Sequence, residues 1–183
     1  PGQDNLCGHR FDARRGQLPF GYDHKYVYSH FGYNLKATDL QAAIGCAQME
    51  KFPSFVERRR RNWARLRGAL APVEDKLVLP EPLPGSDPSW FGFLMTCREG
   101  VDRKRVVPAI ERAGVQTRML FAGNITRHPC FDAIRGTGAY RVVGELPVTD
   151  RIMNDTFWVG VYPGMTDEKI DYMAGAIVEA LEA

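Results

Sequence analysis

Between Trp90 and Phe121 the chain spells out a strand, a helix and a second strand in close succession, and this order restricts the fold more than any other feature. Trp90 to Cys97 is an apolar run of strand length. Asp102 then offers a carboxylate to cap a helix through about Ala113, and Gly114 stands where a helix end favours left-handed backbone. Val115 to Phe121 reads as the next strand. Strand, helix, strand at this spacing is a crossover unit, which implies a small sheet with helices packed against it. The expected class is α+β.

The rest of the chain fits around that unit. A short helix is expected over Val148 to Asn154 and a strand over Phe157 to Val161, with a turn at Pro163-Gly164. Thr166 or Asp167 then caps a final amphipathic helix carrying Ile170, Met173, Ile177 and Leu181. Ala122 to Gly138 reads as loop. Upstream, Pro72 to Pro88 is a proline-rich connector with one extended piece at Leu77-Val78-Leu79. Two helices precede it. The first starts near Asp39, carries Leu40, Ala43, Ile44 and Ala47, and is expected to end or kink near Lys51 because Pro53 lacks a donor. Ser54 and Glu57 form a capping box for the second, with Phe55, Val56, Trp63, Leu66 and Leu70 on its apolar side. Residues 75–183 thus read as a compact α+β domain, 37–74 as connecting helices and 1–36 as the end of another domain.

Charge and cysteine usage narrow the function classes. A net charge of +2 sets up no strong overall field and does not call for nucleic acid. Arg58-Arg59-Arg60-Arg61, with Arg65 and Arg67, is the most basic run, and a binding module built on it would show as salt-sensitive nucleic-acid affinity. On a helix, however, four consecutive residues spread through about 300°, so they read as a solvated face rather than one stripe. Cys7, Cys46, Cys97 and Cys130 lie far apart and read as reduced thiols, with Cys46 and Cys97 as small buried hydrophobes. No apolar leader or membrane-length run appears, and a start at Pro1 suggests a piece of something larger from the cytoplasm. There is no Gly-rich phosphate loop, His-Glu-x-x-His or Ser elbow. Lys25 and Lys36 lack the apolar surround that would lower an amine pKa.

Chemistry concentrates in Gly21 to Gln41, where polar-tipped side chains run into a helix start capped by Thr38 and Gln41. Gly32, Tyr33, Asn34, Lys36, Thr38, Gln41, Ala42 and Ala43 resemble the vitamin B6-dependent sugar aminotransferase family, which carries Gly-Tyr-Asn, a basic residue and a Thr-Asp/Glu-x-Gln-Ala-Ala helix. The wider text, Asp4 to Gly8, Leu18 to Tyr26 and Ser29-His30, resembles one branch of it, the CDP-4-keto-6-deoxyglucose 3-dehydrases of O-antigen deoxysugar biosynthesis. The resemblance extends through Leu181.

That resemblance implies the C-terminal small domain of the aspartate aminotransferase (fold type I) architecture plus the end of the large domain. It implies pyridoxamine or pyridoxal 5'-phosphate as cofactor, with the catalytic groups upstream of Pro1. There, a Lys marks aminotransferases and a His marks the dehydrases. It implies Cys7 as the last of four thiolates on a [2Fe-2S] cluster that a separate reductase feeds, iron-sulfur centres being one-electron carriers. Asn34 is expected to reach the cofactor phosphate across a homodimer interface, an amide being a good donor to a phosphate oxygen, with Lys36 adding charge. Tyr22, His24, His30 and Tyr33 are site or interface candidates. Arg118, Asn124, Thr126 and His128 are expected to face the sugar nucleotide, a CDP-4-keto-6-deoxyhexose, and a planar Arg fork suits a diphosphate. The alternative is a sugar-nucleotide aminotransferase of the same fold. Neither nucleic acid nor membrane is an expected partner.

Overall fold

A computed structural model describes residues 11–23, 27–28, 30–33 and 35–182; Cys7, His24, Lys25, Ser29 and Asn34 lie outside them. The chain divides into two compact units, Pro1–Cys46 and Ala47–Ala183. In the first unit the described residues form turns closed by Leu18 N–H on the Arg15 carbonyl and Tyr22 N–H on the Pro19 carbonyl. The expected capping box is present: Thr38 N–H donates to Gln41 Oε1 at 2.9 Å and Gln41 N–H to Thr38 Oγ1 at 3.3 Å.

The helix that follows, α1, is one element of 32 residues, Asp39–Leu70, with Pro53 inside it. Of the expected end or kink near Lys51, the end is therefore corrected: the helix continues past it. Every residue from 39 to 54 is exposed, so the Met49 carbonyl that loses its donor to the proline can turn to water. Nor does Ser54 start a second helix, because its hydroxyl donates back to the Lys51 carbonyl at 2.7 Å within the same helix. Cys46, expected to be buried, is exposed; its turn of α1 has no cover among the described residues.

The second unit is built on a four-stranded sheet, β1 (Leu77–Val78), β2 (Gly92–Cys97), β3 (Thr117–Met119) and β4 (Thr156–Gly160), in the order β1-β2-β4-β3. All neighbours are antiparallel. Consequently β2 and β3, which flank the helix α2 (Arg103–Arg112), run parallel as a crossover requires, with β4 inserted between them. β3 is shorter than the expected run from Val115 to Phe121, because the chain turns at Leu120 and Phe121, where Phe121 has φ of 45°. The expected caps hold. Asp102 accepts from Lys104 N–H at 2.9 Å, and Gly114 has φ of 79°.

One face of this sheet carries the core. Phe93, Met95 and Cys97 of β2 and Phe157 and Val159 of β4 join Val106 and Ile110 of α2, Leu66 and Leu70 of α1, and Ile170, Met173 and Ile177 of α4 (Asp167–Glu182). On the other face Trp158 lies across Gly92, where an added Cβ would stand 2.7 Å from the indole ring, and its Nε1–H donates to the Met119 carbonyl at 3.1 Å. Burial of the Cys97 thiol pushes its pKa up to about 11.

Five of the arginines on α1 are tied to the chain itself. Arg61 and Arg65 pair with Asp167 and Asp171 of α4, Arg60 with Asp87, and Arg67 with Glu74 and Glu81, while Arg58 donates to the Pro163 carbonyl. The solvated-face reading is thereby refined into a set of exposed ion pairs fastening α1 to α4 and the connector. Beneath them Asn62, buried, donates to the Tyr162 carbonyl at 2.9 Å. Among the described residues no helix is long and apolar enough to cross a membrane.

Candidate functional site

The loop after β3 contains two 3-10 turns, Ile125–Arg127 and Pro129–Ile134. Asn124 caps the first: its Oδ1 accepts from Thr126 N–H at 3.2 Å and from the Thr126 hydroxyl at 2.7 Å. Its amide donates at 2.6 Å to Asp150, in the first turn of α3 (Pro147–Asp155). With both the nitrogen and the oxygen of its amide engaged, Asn124 is only 4% exposed. His128 closes the loop on itself through Nε2 and the Ala122 carbonyl, 2.7 Å apart.

Helix α3 holds the loop at two points. Gly123, φ of 55°, passes so close to α3 that a Cβ there would stand 2.7 Å from the Met153 Cβ, so only glycine meets both demands. One turn earlier, Asp150 accepts from the Asn124 amide and, with both oxygens, from the Arg127 guanidinium. Those hydrogen bonds, Arg127 first and Asn124 second, hold the Asp150 carboxyl below its usual range. The reciprocal effect raises Arg127 above its own.

A cavity of about 560 Å³ opens beside this clamp, lined by Asn124, Thr126, Arg127, Arg135, Glu145 and Asp150 among others. Of the four residues expected to face a sugar nucleotide, Asn124 and Thr126 line it, and His128 and Arg118 do not. Arg118 sits on β3, opposite Trp158 in register, and lines a separate cavity of about 520 Å³ with Trp158, Tyr162, Lys169 and Tyr172. Near it, Glu111 is held below the usual carboxylate range by the hydroxyl and N–H of Thr117.

Of the residues expected to touch cofactor or cluster, Asn34 and Cys7 lie outside the described residues, as does His24. Lys36 is exposed, which suits a point charge offered to a phosphate. Tyr22, His30 and Tyr33 are exposed as well. Among the described residues no group of three or more His, Cys, Asp or Glu is placed to hold a metal, so they do not build a cluster site. The sequence reading missed Gly123, Arg127, Arg135 and Asp150. Arg127 lies between two residues that it named, whereas Asp150 carries no signal but an acid in a helix's first turn, some twenty residues away.

Comparison with known proteins adds to this geometry. Residues 14–178 match the model of the DegT/DnrJ/EryC1/StrS aminotransferase family. The lipopolysaccharide biosynthesis protein RfbH of Salmonella typhimurium is 52% identical over 98% of this chain and 40% of its own length. A dTDP-4-dehydro-2,6-dideoxy-D-glucose 3-dehydratase of Saccharopolyspora spinosa is 51% identical over 98% of this chain and 38% of its own. A dTDP-4-dehydro-2,3,6-trideoxy-D-glucose 4-aminotransferase of the same organism is 26% identical over 82% of the chain and 36% of its own. The chain therefore spans about two fifths of the length of the relatives it matches. Among solved structures, a GDP-4-keto-6-deoxymannose-3-dehydratase with a trapped PLP-glutamate geminal diamine superposes with a TM-score of 0.70 at 24% identity, over 84% of this chain and 39% of that one. The α+β architecture is thus that of the vitamin B6-dependent sugar aminotransferases and dehydratases.

Proposed function

Because the chain belongs to the DegT/DnrJ/EryC1/StrS aminotransferase family, we propose that it is part of a vitamin B6-dependent 3-dehydrase acting on a CDP-4-keto-6-deoxyhexose. The pathway is that of 3,6-dideoxysugars and lipopolysaccharide, and the compartment the cytoplasm. One observation carries the choice of dehydration over transamination: identity is 51% to a 3-dehydratase and 26% to a 4-aminotransferase from one organism. The runner-up is a sugar-nucleotide aminotransferase. The two readings separate on the upstream residue, His or Lys.

The net change is replacement of the C3 hydroxyl by hydrogen, which consumes two electrons and two protons and releases water. Pyridoxamine 5'-phosphate, when bound, supplies the amine that condenses with the sugar 4-keto group. This chain's contribution is to hold and orient. Asn34 and Lys36 would contact the cofactor phosphate, the amide by a directed bond and the ammonium by charge. Arg118, Asn124, Thr126 and His128 belong to the substrate side: Arg118, from its own cavity, offers a fork to an anion, and the other three shape the loop that follows β3. A [2Fe-2S] cluster with Cys7 among its ligands, reduced by a separate reductase, is the assigned electron source, and its remaining ligands are not among the described residues.

A homodimer is supported by what the loop and the start of α1 leave exposed. Phe31, Tyr33, Leu35, Leu40 and Ile44 present apolar surface that no described residue covers, as a segment delivered to a second subunit would. Iron and acid-labile sulfide analysis of the full-length protein, with turnover of CDP and dTDP 4-keto-6-deoxysugars compared, tests the assignment. Cluster iron together with faster CDP-sugar turnover supports it; an iron-free protein that transfers an amino group contradicts it.

A further inference from the structure

The residues that the loop's sequence singles out are engaged within the loop or with α3. Asn124 has its amide on Asp150 and its carbonyl on Thr126, and His128 has its ring on the Ala122 carbonyl. Arg127 differs. Its Nε and Nη2 meet the two oxygens of Asp150, and Nη1 has no partner among the described residues. The side chain is 58% exposed and lines the cavity of about 560 Å³.

A carboxylate that takes one edge of a guanidinium fixes the plane of the other edge, so the spare N–H pair is aimed rather than swinging on a flexible stem. Asp150 is itself fixed, because it stands in α3 and also takes the Asn124 amide. The Gly123 contact with Met153 keeps loop and helix from sliding apart. Arg135, which also lines the cavity, is held by Nη1 on the Thr126 carbonyl and by Nη2 on Asp132, leaving its Nε edge. Glu145 and Asp150 balance the two cations formally. The cavity therefore acts by aimed donors and not by excess charge.

We propose that Arg127 donates through its free edge to a phosphate oxygen of the nucleotide-linked sugar, and that Asp150 is the positioning residue that aims it. This rests on the sugar-nucleotide reading above and goes beyond it by moving the polar contact from Asn124, Thr126 and His128 to Arg127. The test uses the full-length enzyme, with CDP binding measured by calorimetry and KM and kcat measured on the CDP-4-keto-6-deoxyhexose. Arg127→Ala and Asp150→Asn should each raise the Kd for CDP and the KM about tenfold, the scale of a lost charge-assisted hydrogen bond. Neither should change kcat more than about twofold, as expected for binding lost equally from ground and transition states. The double variant should be no worse than either single one, since both remove one contact, and Asp150→Glu should restore most of the affinity. A purely structural Asp150 would instead lower the folded fraction and kcat with KM unchanged, and that result overturns the proposal. So does wild-type CDP affinity in Arg127→Ala. Failure of the wild-type enzyme itself to bind CDP or dTDP overturns the sugar-nucleotide reading together with this one; the two failures are thereby told apart.

Discussion

The two halves of α1 have similar apolar spacing and opposite surroundings. Leu40, Ile44, Met49 and Phe52 in the first half are all more than half exposed, while Leu66 and Leu70 in the second are fully buried. The second half finds its partners within the chain: the sheet beneath it, and α4 through the pairs of Arg61 and Arg65 with Asp167 and Asp171. The first half finds none among the described residues. Hydrophobic periodicity thus identifies a face and says nothing of what covers it, and the face left open here is the one that the proposed homodimer would use.

Truncation should separate the halves most sharply. In the 183-residue chain, Leu66→Ala should cost about 3 kcal/mol in urea unfolding, a transfer term plus the cavity left behind. Leu40→Ala should stay within about 0.5 kcal/mol, as surface changes do. Equal costs would break the comparison; a Leu40→Ala effect that appears only on dimer dissociation of the full-length protein would sharpen it.

Thiol labelling reports the same contrast. Cys46 is exposed on the first half of α1, whereas Cys97 is 2% exposed, with its thiol pushed up to about 11 from 9.0. At neutral pH Cys46 should react much faster than Cys97, since the buried thiol is shielded from the reagent and burial also suppresses its thiolate. Similar rates would show the core around Cys97 to be open. The raised pKa also sets a sign. The folded thiol resists ionisation and the unfolded one does not, so stability should fall as pH rises from about 9 through about 11.

Pro53 sits near the seam between the halves. Pro53→Ala should raise stability by about 2 kcal/mol, somewhat below the interior cost of proline because this turn is exposed to water. A loss of stability would mean that the proline fits a bend the helix needs. The smallest effect belongs to the ion pairs. Arg65 holds Asp171 below its usual range, so this contribution is present above the unfolded carboxyl pKa and is lost as pH falls through the lower folded value. Arg65→Gln should flatten the acid limb of the unfolding midpoint against pH only slightly, because both groups are exposed.

What the sequence disclosed follows from how local each feature is. Asp102, Gly114, Thr38 and Gln41 act within a few residues, so their caps were legible and are present. Phe93, Met95 and Cys97 alternate with half-buried neighbours, which a strand with one covered face requires. The continuous helix at Pro53 was not legible, since one lost hydrogen bond on a solvated turn is weaker than the thirty-odd residues of good helix around it. Nor was the insertion of β4 between β2 and β3, which depends on pairing across some forty residues. In the candidate site the loop itself was legible and its clamp was not: Asp150 meets Asn124 and Arg127 only after α3 folds back.

The central claim is that this chain serves removal of a hydroxyl and not addition of an amine. Mass spectrometry of the product formed by the full-length protein from CDP-4-keto-6-deoxyglucose, with pyridoxamine 5'-phosphate and a reductase present, reads that difference directly. A product lighter than the substrate by one oxygen, with no nitrogen gained, is the predicted result. A product with the C3 oxygen retained and an amino group at C4 would contradict the account.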